Sequence, residues 1–348
     1  MTTPGPDRRP LETLLKAQAY GLGFDLCGVA ALGRAPTHPA FTRWLAAGYD
    51  GEMHYLTRGA ELRADTRHPV PGMRSALVVA LNYDGTQPAG TVARYARGDD
   101  YHRVMWDKLD LLGRWLHEWT GATTRAFVDT GPVLERDLAR QAGLGWFGKN
   151  TMLINPTLGS FFFIGSLFCD LDLAADAPFA DDHCGTCTRC LDACPTQAFT
   201  APRVLDATRC ISYLTIELKG AIPEPLRPAI DDHLYGCDIC QDVCPWNRKF
   251  SRPLTEMALQ PAPDRAHPDP AALLALDAAE WRARFGASAM TRAKRRGLAR
   301  NAAVVLGNRG TIDALPVLDH AADHDPEPVV REHATWASAR VRARSGVP

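Results

Sequence analysis

Cys184-Gly-Thr-Cys187-Thr-Arg-Cys190-Leu-Asp-Ala-Cys194-Pro195 is the stretch on which the reading of this 348-residue chain turns. Its pattern is C-x2-C-x2-C-x3-C-P, a spacing by which thiolates hold [4Fe–4S] clusters. A second run, Cys237-Asp-Ile-Cys240-Gln-Asp-Val-Cys244-Pro245, repeats the last three-quarters of it. Leu234 stands where its first cysteine belongs, and Cys210, further up the chain, is the natural substitute. Eight of the ten cysteines thus fall between 184 and 244.

The spacing has a physical reason. Three cysteines separated by two residues wrap a tight loop around one cubane. The fourth sits on a short helical turn that points away, and in two-cluster ferredoxins it ligates the other cluster. The predicted sets are therefore crossed: Cys184, Cys187, Cys190 and Cys244 for one cluster, Cys210, Cys237, Cys240 and Cys194 for the other. Zinc is the main competing reading, because paired C-x2-C also binds zinc. Two C-x3-C-P endings favour iron–sulfur. Disulfides are disfavoured, since no secretory signal is seen and the reducing cytoplasm is the expected compartment. Arg8-Arg9 is followed by Pro10 and by no apolar region. Cys27 and Cys169 lie in apolar surroundings and read as buried structural thiols.

With 46% hydrophobic and 23% charged residues, the chain has an ordinary globular composition. A net charge of −1 excludes wholesale nucleic-acid binding but not a local basic patch. No apolar run reaches membrane-span length, so no membrane partner is expected. Three units are predicted. Residues 1–175 alternate strands and helices in an α/β (α+β) pattern, behind a disordered tail at 1–9. Strands are expected at 24–30, 75–81, 124–128, 152–154 and 161–167; helices at 11–20, 38–47, 104–119 and 133–141. Neither G-x-G-x-x-G after a strand nor a Walker loop is present. Residues 176–252 form a ferredoxin-like unit, interrupted by a helix near 210–219. Residues 253–348 begin as a proline-rich linker and end in an alanine-rich, HEAT-like set of helices at 293–307, 312–322 and 329–342. Two such repeats are too few to stand alone, so the module is expected to pack on the cluster unit.

Several further runs carry a family resemblance: Arg94-Tyr95-Ala-Arg-Gly98-Asp-Asp-Tyr101-His102, Val-Asp129-Thr-Gly131-Pro132-Val-Leu-Glu135-Arg136, Gly145-Trp146-Phe-Gly148-Lys149-Asn150, Cys210-Ile-Ser212-Tyr213-Leu-Thr215-Ile-Glu217 and Gly236-Cys237 to Asn247. With the cysteines, they make the chain resemble the epoxyqueuosine reductases along nearly its whole length. The resemblance implies an enzyme of tRNA modification that reduces the epoxide of epoxyqueuosine at the wobble position to queuosine. It implies cobalamin beside two [4Fe–4S] clusters, a cobalamin-binding first domain, and an external low-potential electron donor. A monomer is expected. The rival readings are a corrinoid reductive dehalogenase acting on small molecules, and a ferredoxin-type electron carrier. One departure is visible: some relatives carry a cysteine where this chain has Ala93.

The residues suit this chemistry. Removing an epoxide oxygen needs electrons and a proton supply, and two clusters can relay electrons singly. Asp129, at the end of an apolar strand, is expected to be the proton donor and to touch the cofactor. Desolvation is expected to raise its pKa and keep its proton available; the competing role is a helix cap. Arg94, Lys149, Asn150, Ser160 and Ser212 are the other cobalamin-binding candidates, with turn chemistry as the competing reading. His102 reads as a residue near a helix cap, and Glu135 and Arg136 as a local pair. The string Asp231-Asp-His233-Leu-Tyr-Gly236 matches the signature of proteins whose histidine replaces cobalamin's lower base. It runs directly into a cysteine loop and lacks the strand–helix unit such a site needs, so His233 is read as a bystander. Between Trp281 and Ile312 stand eight basic residues and no acid. Arg292, Lys294, Arg295, Arg296 and Arg300 are the tRNA-binding candidates among them, the competing reading being a solvated helix face.

Overall fold

The computed structural model describes residues 10–83, 85–263 and 265–346; the tail expected at 1–9 lies outside them. The first unit is built on β2 (Ser75–Asn82), whose eight residues are all buried. Side chains alternate across a strand. Leu77, Val79 and Leu81 accordingly enter one core, while Ala76, Val78 and Ala80 enter a second on the opposite face. Both faces are covered. Helices α1 (Leu11–Gly21) and α2 (Tyr101–Thr120) supply Leu15, Ala19, Met105, Leu109, Leu112 and Leu116 to the first core. Helix α3 (Glu135–Gln141) supplies Leu138 and Ala139 to the second. With β1 (Leu26–Ala31), β3 (Thr124–Phe127) and β4 (Phe162–Cys169), the order is β1-β2-β4-β3.

Every pairing in this sheet is antiparallel. The alternation of strands and helices therefore does not produce a parallel, doubly wound sheet, and no crevice arises from reversed strand order. The unit is α+β. Leu153–Ile154 leaves the main sheet and pairs with Trp146–Phe147 in a small hairpin.

In the cysteine-rich unit two short helices, Arg189–Asp192 and Ile239–Asp242, pack against each other, each flanked by cysteines. Helix α4 (Ile211–Ile216) starts directly after Cys210. Leu234 is wholly buried among apolar neighbours. The proline-rich stretch after 251 is no free linker. Asn82 Nδ2 donates to the carbonyls of Arg252 and Pro253, Ala262 N–H donates to Arg97, and Leu259 enters the first core. Proline lacks an amide donor, but the carbonyls around it still accept.

The last helices are α5 (Lys294–Arg309), α6 (Leu315–His324) and α7 (Pro328–Ser345). Helix α5 is buried without interruption from Gly297 to Gly307, enclosed by α7, the Pro270–Ala275 helix and α4. Its core is shared with Val92, Ala96, Leu234 and Tyr235, so the module docks on the cysteine-rich unit as expected. His333 sits in this joint, fully buried. Its Nδ1–H donates to Val329, and its Nε2 accepts from Ile222 N–H at 3.1 Å. Burial, reinforced by Arg227, pulls its pKa down to about 4. The unfolded chain then binds the proton more readily. Stability is full above about pH 6.5 and falls as pH drops towards 4, by roughly 3 kcal/mol at most. Denaturant midpoints at pH 7 and pH 4.5 should show this loss, and His333→Gln should flatten it.

Candidate functional site

Cys184, Cys187, Cys190 and Cys244 line one cavity of about 330 Å³. Trp146, His183 and Trp246 sheathe it, Trp146 standing edge-on to Trp246 at 5.0 Å. Burial and the charges of Cys244, Cys184 and Cys187 push the Cys190 thiol up to about 11. The second group answers the same way. Cys237 is raised by burial and by Cys210 and Cys194; Cys240 by burial and by Cys237 and Cys210. Cys194 thus lies within electrostatic reach of Cys210 and Cys237, and Cys244 within that of Cys190, the proximity that crossed sets require. Crowded thiolates in low dielectric need a compensating cationic group, and a cluster is one. Among the described residues, no three His, Cys, Asp or Glu side chains gather tightly enough for a single ion. A tetrahedral zinc site requires such convergence; a cubane spreads its four thiolates over four irons. The donor set fits the cubane.

The residues nominated around these quartets do different work from that expected. Lys149 Nζ donates to the carbonyls of Gly185 and Cys187 at 2.7 and 3.0 Å, pinning the first loop. Asn150 Nδ2 donates to Cys240 O at 3.3 Å. Ser160 is buried, its hydroxyl bonded to Gln241 and Asn247. Gly159 beside it, at φ 74°, has to be glycine, because a Cβ there would lie 2.3 Å from Asn247 Oδ1. Arg94 is 5% exposed, paired with Asp238 and Asp242 at 3.1 and 2.7 Å and seated over Phe161. Ser212 turns to the Cys210 thiol. All five side chains hold bonds within the protein. They brace the cysteine loops, which fixed spacing alone cannot do. His233 Nδ1–H donates to Ile230 O, 2.9 Å away.

Asp129 differs. It follows β3 by two residues at φ 56°, in the left-handed region that aspartate tolerates. Its side chain is 63% exposed. It caps no helix: α3 starts after Leu134, without a side-chain cap. The Glu135 carboxylate accepts the Asp129 N–H at 2.8 Å and holds the turn. Oδ2 lies 3.4 Å from His102 Nε2, and Asp100 binds His102 Nδ1 at 2.7 Å. Tyr55 and Arg292 lie within electrostatic reach on the far side, Arg292 stacked on Tyr55 and bonded through both nitrogens to Glu217.

The electrostatics overturn one expectation. Partial desolvation by the surrounding protein works to raise the Asp129 carboxyl, but His102, Tyr101 and Arg136 outweigh it and hold the pKa below the ordinary value. Asp129 is ionised at neutral pH. Burial opposes charge on His102 too, yet its bonds to Asp100 and Asp129 raise it to about 9. Half-buried Glu135 is pushed up to about 8 by desolvation and by Asp129. At neutral pH His102 and Glu135 both hold protons, and of the two only His102 bonds the Asp129 carboxylate. Sequence reasoning treated His102 as a residue near a cap; Asp100 does cap α2 through His102 N–H, and it binds the imidazole as well.

The basic stretch divides. Arg300 is 1% exposed and donates to the carbonyls of Leu214, Leu218 and Gly220. Arg295 is clamped to Asp325 and to Leu276 O. Both hold the helices together and neither is available to tRNA, contrary to expectation. A buried guanidinium sees acceptors that a sequence count cannot register. Arg300→Ala should cost on the order of 3 kcal/mol in a denaturant titration, since it strands three carbonyls. Lys294 is exposed and Arg296 half-buried, and among the described residues neither makes an ion pair.

A cysteine-rich unit spaced for two clusters, joined to a sheet domain with an exposed aspartate just past a strand end, is the arrangement of an iron–sulfur protein. Residues 183–247 match the model of a 4Fe-4S double cluster binding domain, and residues 63–130 match that of epoxyqueuosine reductase QueG. An epoxyqueuosine reductase of Xanthomonas campestris is 42% identical, covering 96% of this chain and 97% of its own. The crystal structure of an epoxyqueuosine reductase with an epoxyqueuosine-modified tRNA stem loop superposes with a TM-score of 0.87, at 32% identity over 95% of this chain and 90% of that one. The Bacillus subtilis enzyme, solved with its catalytic aspartate loop swung out of the active site, gives 0.85 at 32% identity over 95% and 90%. The chain belongs to the epoxyqueuosine reductase family. Among the described residues no helix is long and apolar enough to cross a membrane.

Proposed function

We propose that this chain reduces epoxyqueuosine in tRNA to queuosine, with Asp129 as the proton donor at the epoxide. The observation that carries the reading is the Asp129 carboxylate, open at the rim of the sheet domain and bonded to a charged histidine. The crossed quartets are assigned as ligands of two [4Fe–4S] clusters that pass single electrons inward from an external low-potential donor. A cobalamin, implied by the family, would supply the electron-transfer chemistry at carbon. Of the six side chains nominated for it, Asp129 is the most exposed, and binding is assigned to the space before Asp129. The protein is taken to act as a cytoplasmic monomer, with the HEAT-like helices as the tRNA-docking module.

The chain's own residues account for the proton chemistry. Loss of the epoxide oxygen as water takes two electrons and two protons and leaves a carbon–carbon double bond. Asp129 reaches the oxygen; Glu135 fixes its backbone; Tyr101 and His102 orient its carboxylate. Anaerobic protein with reconstituted clusters and added cobalamin, given tRNA carrying epoxyqueuosine, should yield queuosine on nucleoside analysis. Bound corrin absorbance should accompany turnover. Clusters without corrin binding, and no product, would leave an electron carrier instead.

For tRNA, Lys294 and Arg296 are the members of the nominated set to test first, since half-exposed Arg292 is paired with Glu217 and Arg295 and Arg300 are held inside. Lys294→Ala with Arg296→Ala should weaken binding and lower the salt slope by roughly 1.4–1.8, the loss of two phosphate contacts. An unchanged slope would return these residues to a solvated helix face.

A further inference from the structure

We infer that His102 is a proton-relay residue, recharging Asp129 so that both protons needed by the departing epoxide oxygen pass through one carboxyl group. This rests on the reading of Asp129 as proton donor. The argument starts from the balance: the first proton is consumed as one C–O bond breaks to give a hydroxyl, and the second as the other breaks to release water. Both electrons come from the external one-electron donor. One carboxyl group holds one proton at a time, so a single donor must be reloaded between the two steps.

The geometry supplies the reloading path. His102 occupies the first turn of α2, and its two nitrogens face two carboxylates, Asp100 at 2.7 Å and Asp129 at 3.4 Å. Tyr101 stacks on the ring at 4.1 Å, fixing its plane. Nε2–H therefore points at Asp129 Oδ2. Asp129 is ionised at rest, so for each C–O bond broken the Nε2 proton moves to Oδ2 and on to the oxygen. Asp100 retains the Nδ1–H, and the neutral imidazole regains its proton from water. The alternative role, a plain helix cap, needs only the His102 backbone N–H and leaves the aim of Nε2 without a purpose.

Every charged neighbour bears on this proton. On its own helix these are Asp100, Tyr101 and, through Asp100, Arg103. From the turn and α3 they are Asp129, Glu135 and Arg136. Tyr55 and Arg292 act on Asp129 from the far side. Two carboxylates in direct contact decide the sign, so the charged imidazole persists through neutral pH and the relay fails in alkali.

The test uses the full chain. Histidine ¹⁵N spectra across pH should show His102 titrating near 9, moving down towards its ordinary range in Asp129→Asn. In turnover assays His102→Gln should be slower by roughly 10–100-fold and lose the alkaline limb, with tRNA affinity unchanged. Added imidazole should restore part of the rate of His102→Ala. A wild-type His102 titrating near 6.5, or a His102→Gln variant with the wild-type rate and pH profile, overturns the relay. If His102→Gln does not fold, the wild-type titration still decides. An active Asp129→Asn would instead overturn the parent reading, whatever His102 does.

Discussion

Asp129→Asn is expected to lose turnover by a factor of about 10² or more while still binding tRNA. Asparagine keeps the shape and can still meet His102, but it cannot accept and deliver a proton. The expectation comes from position, not from a raised pKa. The carboxylate is ionised at rest, so its acidity matches a group that takes a proton from His102 and hands it on. A neutral amide breaks that path at its centre. The backbone should tolerate the change: asparagine is, with aspartate, among the residues best suited to φ near 56°. The Asp129 N–H bond to Glu135 is also unaffected. Single-turnover rates at saturating tRNA, with cluster content matched, are the measurement. Near-normal rates in the variant would remove Asp129 from the chemistry and leave the turn as a structural feature.

Cys194→Ser is expected to empty the quartet of Cys210, Cys237 and Cys240 while sparing that of Cys184, Cys187 and Cys190. Iron should fall from about eight to about four per chain. The prediction runs against sequence proximity, since Cys194 is only four residues from Cys190. It follows from the short helix Arg189–Asp192, which carries the chain away from the first loop and leaves Cys194 facing Cys210. Ala198 N–H also donates to its sulfur at 3.3 Å, a bond suited to a thiolate. The reciprocal variant, Cys244→Ser, should empty the first quartet. Retention of about eight irons in Cys194→Ser, or a zinc-loaded protein, would overturn the crossed assignment. Spectra of the remaining cluster identify which was lost.

Much of this was legible in residue order. The cysteine spacing announced a double-cluster unit, because a cubane loop is a local structure whose geometry is set by residue count. Strand β2 and helices α1 and α2 were also legible, since hydrophobic periodicity is local. The three C-terminal helices were placed within a few residues. The sheet's handedness of pairing was not: strand–helix alternation is shared by parallel and antiparallel sheets, and only the return path of β4 between β2 and β3 separates them.

Side-chain duty divides along the same line. The sequence by itself determined which residue types were present to bind clusters, carry a proton or meet phosphate. Tertiary structure alone decided which were free to act. It buried Arg300 against three carbonyls and clamped Arg295 to Asp325, removing both from the basic surface. It turned Lys149 and Asn150 to the cysteine loops. And it brought His102 to Asp129 across 27 residues, so that the histidine and not the aspartate is protonated at rest. Protonation depends on which charges and how much water surround a group in space, and those neighbours are supplied by distant parts of the chain.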